Sequence, residues 1–68
     1  MKLYTLTNLN TGETKNFLMK SSLGYYIGVN SAQIDVSILK NKPIKKRTGE
    51  KYSIDYHDVD IGIKIEDI

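Results

Sequence analysis

Ile27-Gly28-Val29-Asn30-Ser31-Ala32-Gln33-Ile34-Asp35-Val36-Ser37-Ile38 is the stretch on which the fold of this chain turns. Leu23, Tyr26 and Ile27 stand at i, i+3, i+4 spacing and share one helical face. Gly28 ends that first helix, because glycine takes the left-handed conformation without a Cβ penalty. Asn30-Ser31-Ala32-Gln33 has the form of a capping box, a short polar side chain at the cap and a Gln three residues on that reaches back. Ile34 and Ile38 then stack one turn apart, with Leu39 beside them, which predicts a second helix over about 31–41. Lys42-Pro43 stops it, since proline disfavours helical geometry in the residue before it. Two helices joined by a short turn containing glycine make the helix-turn-helix unit.

Outward from this centre the pattern changes from helical to extended. Lys2 to Thr7 is rich in β-formers, Asn8-Leu9-Asn10-Thr11-Gly12 supplies turn residues, and Glu13 to Leu18 follows, so a β-hairpin is predicted from about 2 to 18. On the other side Ile44 to Arg47 can be extended and Thr48-Gly49-Glu50 turns. Tyr52, Ile54 and Tyr56 then alternate with Lys51, Ser53 and Asp55, giving a second hairpin. Val59, Ile61, Ile63 and Ile65 alternate with Asp60, Gly62, Lys64 and Glu66, which predicts a last strand over 59–65. The expected fold is therefore α+β in one domain, residues 1–68: a two-helix helix-turn-helix flanked by two short β-hairpins and a C-terminal strand.

Composition narrows the functional classes. A chain of 68 residues buries only roughly 60% of the surface its unfolded form exposes. It has no cysteine and a single histidine, so neither disulfides nor a Cys- or His-rich zinc site is expected to reinforce it. No apolar run approaches the ~20 residues of a membrane span, and the N-terminal residues lack a signal-peptide core, so a cytoplasmic protein without a membrane partner is expected. The net charge of +2 conceals a segregation: residues 1–39 carry +1, residues 40–52 carry +5, and residues 53–68 carry −4. Six of the ten basic residues, Lys40, Lys42, Lys45, Lys46, Arg47 and Lys51, fall within twelve positions. Such clustering is a statement about partners, because it sets the field a binding molecule meets.

The Ile27–Ile38 segment resembles the turn and second helix of a larger family pattern: an apolar residue, Gly, Val, a polar cap, then apolar residues four apart. With Tyr4, the Asn-Thr-Gly-Glu turn, Phe17 ten residues before Ile27, and Tyr52 in a closing strand, residues 3–56 are similar to the nuclease-associated modular domains of homing endonucleases and related phage proteins. The resemblance implies DNA binding through the second helix and the basic loop beside it. It implies no nuclease activity, because no catalytic domain accompanies the module. At the position where that family caps its first helix with Ser or Thr, this chain has Met19, and the exposed face of the second helix carries Asp35.

A recognition helix presents its N-terminal residues to base edges while neighbouring cations neutralise phosphates. Asn30, Ser31, Gln33 and Ser37 are the candidate base readers, and Lys40, Lys42, Lys45, Lys46, Arg47 and Lys51 the candidate phosphate contacts. Double-stranded DNA is the expected partner of a phage or mobile-element accessory or regulatory protein. No catalytic residues, cofactor or metal ligands are expected; His57 among Asp55, Asp58 and Asp60 reads as a polar strand surface. The rival reading is protein binding. The acidic, isoleucine-rich residues 59–68 offer a strand edge to a second copy or to a host protein, as in a small inhibitor of a host nucleic-acid enzyme.

Overall fold

The computed structural model describes residues 1–60 and 62–67. In chain order it contains β1 (Lys2–Asn8), β2 (Thr14–Phe17), α1 (Lys20–Ile27), α2 (Ser31–Lys40), β3 (Ile44–Lys45) and β4 (Lys51–Asp58). The four strands form one antiparallel sheet in the order β2-β1-β4-β3. The two predicted hairpins are its outer pairs, and β1 joins β4 in the middle with Leu6 opposite Ile54 and Tyr4 opposite Tyr56. This α+β arrangement, a helix pair inserted between two hairpins, is the one the alternation and capping signals predict.

Turn chemistry sets the first hairpin. Asn8 Oδ1 accepts from the backbone N–H of Asn10 at 2.9 Å and of Thr11 at 3.2 Å, an Asx-type turn. Gly12 completes it at φ +81°. The turn is also tied to the middle of the sheet, because Asn10 Oδ1 accepts from the Lys51 N–H at 2.9 Å.

One face of the sheet presents Leu6, Phe17, Tyr52 and Ile54 to Leu23 and Ile27 of α1 and Ile34 of α2, and these seven side chains are the core. Ile38 and Ile44 pack against it. Tyr26 is half exposed and tilts against the Phe17 ring at a centroid distance of 5.5 Å. Leu39 departs from expectation: it is 84% exposed. Its place on the helix lies a third of a turn past Ile38, which carries it off the buried face.

Helix ends follow local rules at three of four termini. Gly28 closes α1 at φ +76° with its N–H on the Gly24 carbonyl at 2.8 Å. The capping box of α2 is formed: Asn30 Oδ1 accepts from the Gln33 N–H at 2.9 Å and Gln33 Oε1 from the Asn30 N–H at 3.1 Å. Asn41 ends α2 in the left-handed region at φ 52°. The fourth terminus is different. Met19 offers no side-chain cap, and the carboxylate of Asp67, 48 residues away, accepts from the N–H groups of both Leu18 and Met19 at 2.8 Å. Burial opposes that charge, but the two amides and the Ser22 hydroxyl outweigh it and hold the Asp67 carboxyl below its ordinary range.

The route of the tail corrects the expected last strand. Val59 adds one ladder-like bond to the Met1 carbonyl at 2.8 Å, but residues 59–60 and 62–65 are not strand. Ile61 lies outside the described residues. Gly62 turns the chain at φ +102°, and the Glu66 N–H then bonds the Asn16 carbonyl at 2.7 Å. Leaving β4 and ending at β2, the tail crosses β1 on the face away from the helices. Leu3, on that face of β1, is fully buried. Beside it Thr5 donates to Asn16 Oδ1 at 2.7 Å and meets His57 Nε2 at 2.6 Å, while Asn16 Nδ2 donates to the Lys64 carbonyl at 3.2 Å. Val59, Ile63 and Ile65 thus lie in a non-strand tail rather than in a fifth strand. No helix among the described residues is long and apolar enough to cross a membrane.

Candidate nucleic-acid interface

The approach of α2 to α1 is set by a missing side chain. A Cβ on Gly24 would lie 2.6 Å from the Val29 carbonyl oxygen and 3.3 Å from Ile34 Cδ1. The Gly24 carbonyl also accepts from both Gly28 and Val29 N–H groups, at 2.8 and 2.9 Å. The turn therefore seats directly on α1, and Asn30 begins α2 from a fixed position.

From there α2 runs beside the β3–β4 hairpin, and an open groove separates them. Asn30, Ala32, Gln33, Val36, Ser37 and Lys40 line its helix side, and Lys42, Pro43, Ile44 and Lys45 the other. A second depression continues it past Gly28 and Val29 to Lys46, Arg47 and Thr48, sharing Gln33, Ile44 and Lys45. Five of the six clustered cations thus border one continuous surface. The sixth, Lys51, is exposed and pairs directly across from Lys45 in the β3–β4 ladder.

Charge along this surface is unbalanced within the chain. The ion pairs among the described residues join Met1 to Asp58, Lys15 to Glu13 and Glu66, Lys20 to Asp35, and Lys64 to Glu66, and none includes any of the six. Lys45 opposite Lys51 is a like-charge cross-strand pair, an arrangement that costs stability. Glu50, the one acid in the block, is occupied inside its hairpin. Hydrogen bonds from the Thr48 hydroxyl at 2.7 Å and the Tyr52 hydroxyl at 3.0 Å, with the nearby Lys46 charge, hold its carboxyl below the ordinary value.

The acid on α2 that would repel phosphates has a partner. Lys20 Nζ donates to Asp35 Oδ1 at 2.6 Å, and this bond raises the lysine's pKa. The pair neutralises Asp35 and ties the start of α1 to α2.

The candidate base readers fare unequally. Ser31 is exposed at the first turn of α2. Asn30 and Gln33 are exposed, but each side-chain oxygen is already held by the capping box. A bidentate contact from Gln33 to adenine needs its amide oxygen and nitrogen together, so it would have to share the oxygen with the Asn30 N–H. Ser37 is a correction: it is 6% exposed, and its hydroxyl donates to the Lys42 carbonyl at 2.5 Å. That bond ties the chain beyond α2 back onto the helix and commits the Ser37 hydroxyl proton, leaving little of the side chain for a base. Sequence reasoning missed Ala32, Val36 and Pro43 on the groove wall; the i, i+4 spacing of Ala32 and Val36, off the Ile34–Ile38 face, was the available signal.

No protein-family model, no curated protein and no solved structure matches this chain. The similarity to the nuclease-associated modules rests on the residues quoted for it.

Proposed function

We propose that the protein binds double-stranded DNA, with α2 in the major groove and the β3–β4 hairpin against the adjoining phosphates. Its role would be that of an accessory or regulatory DNA-binding protein of phage or mobile-element type, acting in the cytoplasm. One observation carries the reading: six cations without an ion-pair partner among the described residues cluster at α2 and the hairpin beside it. A polyanion supplies the missing countercharge, and a groove between a helix and a hairpin suits a phosphate strand passing between them. The neutralised Asp35 removes the main electrostatic objection on the helix itself.

Docking of a second copy or a host protein through residues 59–68 has less support. Glu66 and Asp67 already bond to β2 and the start of α1, and Asp58 pairs with the N-terminal amine at 3.6 Å. The test is a titration of a fluorescent mixed-sequence duplex at two salt concentrations. Binding in the micromolar range or tighter at low salt, weakening steeply as salt rises, is expected. No binding to any duplex at low salt would overturn the reading and favour the inhibitor alternative.

A further inference from the structure

The middle of α2 offers a base very little hydrogen bonding. The Asn30 and Gln33 side-chain oxygens are committed to the cap, Ser37 is buried, and Lys40 is the last residue of the helix. Apart from Asp35, whose carboxylate is paired with Lys20, what α2 exposes at its centre is apolar. Val36 is 50% exposed, flanked one turn away by exposed Ala32 and by Leu39. Val36 and Ala32 line the wall of the same groove that Lys40 and Lys42 border, so the apolar stripe and the unpaired positive charge form one surface.

Resting on the DNA-binding reading above, we infer that this stripe reads the 5-methyl groups of thymine. The edges of bases in the major groove are hydrogen-bond donors and acceptors with one apolar exception, the methyl on thymine C5. An apolar helix face brought into that groove by phosphate contacts leaves polar base edges of either pair without partners, which is costly for both. Against A·T pairs it covers methyls and is rewarded by the water released. Selectivity then comes from Ala32 and Val36 covering methyls, with Gln33 Nε2 left as a donor beside them. The same chemistry extends to 5-methylcytosine, whose methyl occupies the equivalent place in the major groove.

The test adds and removes the methyl while leaving the minor groove and the backbone charge unchanged. The probes are the alternating duplexes poly(dA-dT), poly(dA-dU), poly(dG-dC) and poly(dG-5-methyl-dC), at low salt without magnesium. Each covered methyl is expected to contribute about fourfold in affinity, ~0.8 kcal/mol at 25 °C. Poly(dA-dT) should therefore bind fourfold to fifteenfold more tightly than poly(dA-dU) if one or two methyls are covered, roughly, and methylation of poly(dG-dC) should strengthen binding by a similar factor. A Val36→Ser variant should bind poly(dA-dT) about as weakly as the wild type binds poly(dA-dU); since Val36 is half exposed, a melt of the free variant checks that it folds. Salt-sensitive binding of equal strength to poly(dA-dT) and poly(dA-dU) would overturn the methyl inference and leave DNA binding standing. Failure to bind any of the four duplexes would overturn both.

Discussion

Replacing Gly24 with alanine sets two effects of opposite sign against each other. In an ordinary helix interior alanine is favoured over glycine by ~0.8–1.0 kcal/mol, because glycine loses more backbone freedom on folding. At this position the new Cβ would stand 2.6 Å from the Val29 carbonyl oxygen, so the turn must retreat by 0.4 Å merely to reach a 3.0 Å contact. The obstacle is main chain rather than the end of a flexible side chain. The same turn is held by bonds from Gly28 and Val29 to the Gly24 carbonyl, and the other near atom, Ile34 Cδ1, belongs to a fully buried residue. Overpacking of this kind costs ~1–3 kcal/mol. Less the propensity gain, Gly24→Ala should destabilise the domain by about 0–2 kcal/mol and lower Tm by up to roughly 15 °C. Thermal melts followed by circular dichroism measure it, with Ser21→Ala on the exposed side of α1 as the control for propensity alone. A Gly24→Ala protein that melts above the wild type would refute the close approach of the turn to α1.

Further substitutions test the rest of the fold. Asp67→Ala removes the cap on α1 and should cost about 1 kcal/mol in a denaturant titration at neutral pH. Because the Asp67 carboxyl is held below its unfolded value, its contribution is complete above the ordinary aspartate pKa of about 3.9 and is lost as pH falls through the folded value. The difference between wild type and Asp67→Ala should therefore shrink in that acid window; a difference that persists unchanged below it would argue against the charged cap. Ile34→Ala should cost ~2–5 kcal/mol and Ile38→Ala less, since Ile34 is fully buried and Ile38 only partly; equal losses in denaturant titrations would place the helix in another register. Deleting residues 59–68 uncovers the Leu3 side of the sheet and removes the cap, a loss of roughly 2–4 kcal/mol from a domain with little margin. A truncated protein with a wild-type melt would show that the tail is dispensable to the fold and free to serve a partner.

What could be read in the sequence was local. Gly28, the Asn30–Gln33 box, Pro43 and the Asn8–Gly12 turn each act on backbone within a few residues, and the chemistry that identifies them is complete in the sequence. The alternation of Tyr52, Ile54 and Tyr56 marked a strand for the same reason. Long-range partnerships were not legible. Met19 looks like an uncapped start until Asp67 arrives from the far end of the chain, and Asp35 looks like a repulsive charge until α1 brings Lys20 to it. The period-two pattern from Val59 states only that alternate residues are apolar. That pattern serves a chain crossing a sheet face as well as one pairing with its edge, and Gly62 was the residue that marked the difference. In the candidate interface the basic cluster was visible as composition. Ser37 was misassigned because its burial depends on the return of Lys42 over the end of α2.

The most direct measurement of DNA binding through this surface is the slope of log K against log salt for the wild type and for the Lys45→Ala/Lys46→Ala/Arg47→Ala variant on one duplex. Each phosphate neutralised contributes about −0.9 to the slope. Contact by all six clustered cations would give the wild type a slope near −5, and loss of three would flatten it by nearly 3, roughly. The expected result is a steep wild-type slope that the variant reduces by two to three, on the order of one per cation removed. A wild-type slope near zero, or a steep slope that the triple variant leaves unchanged, would contradict DNA binding by α2 and the β3–β4 hairpin.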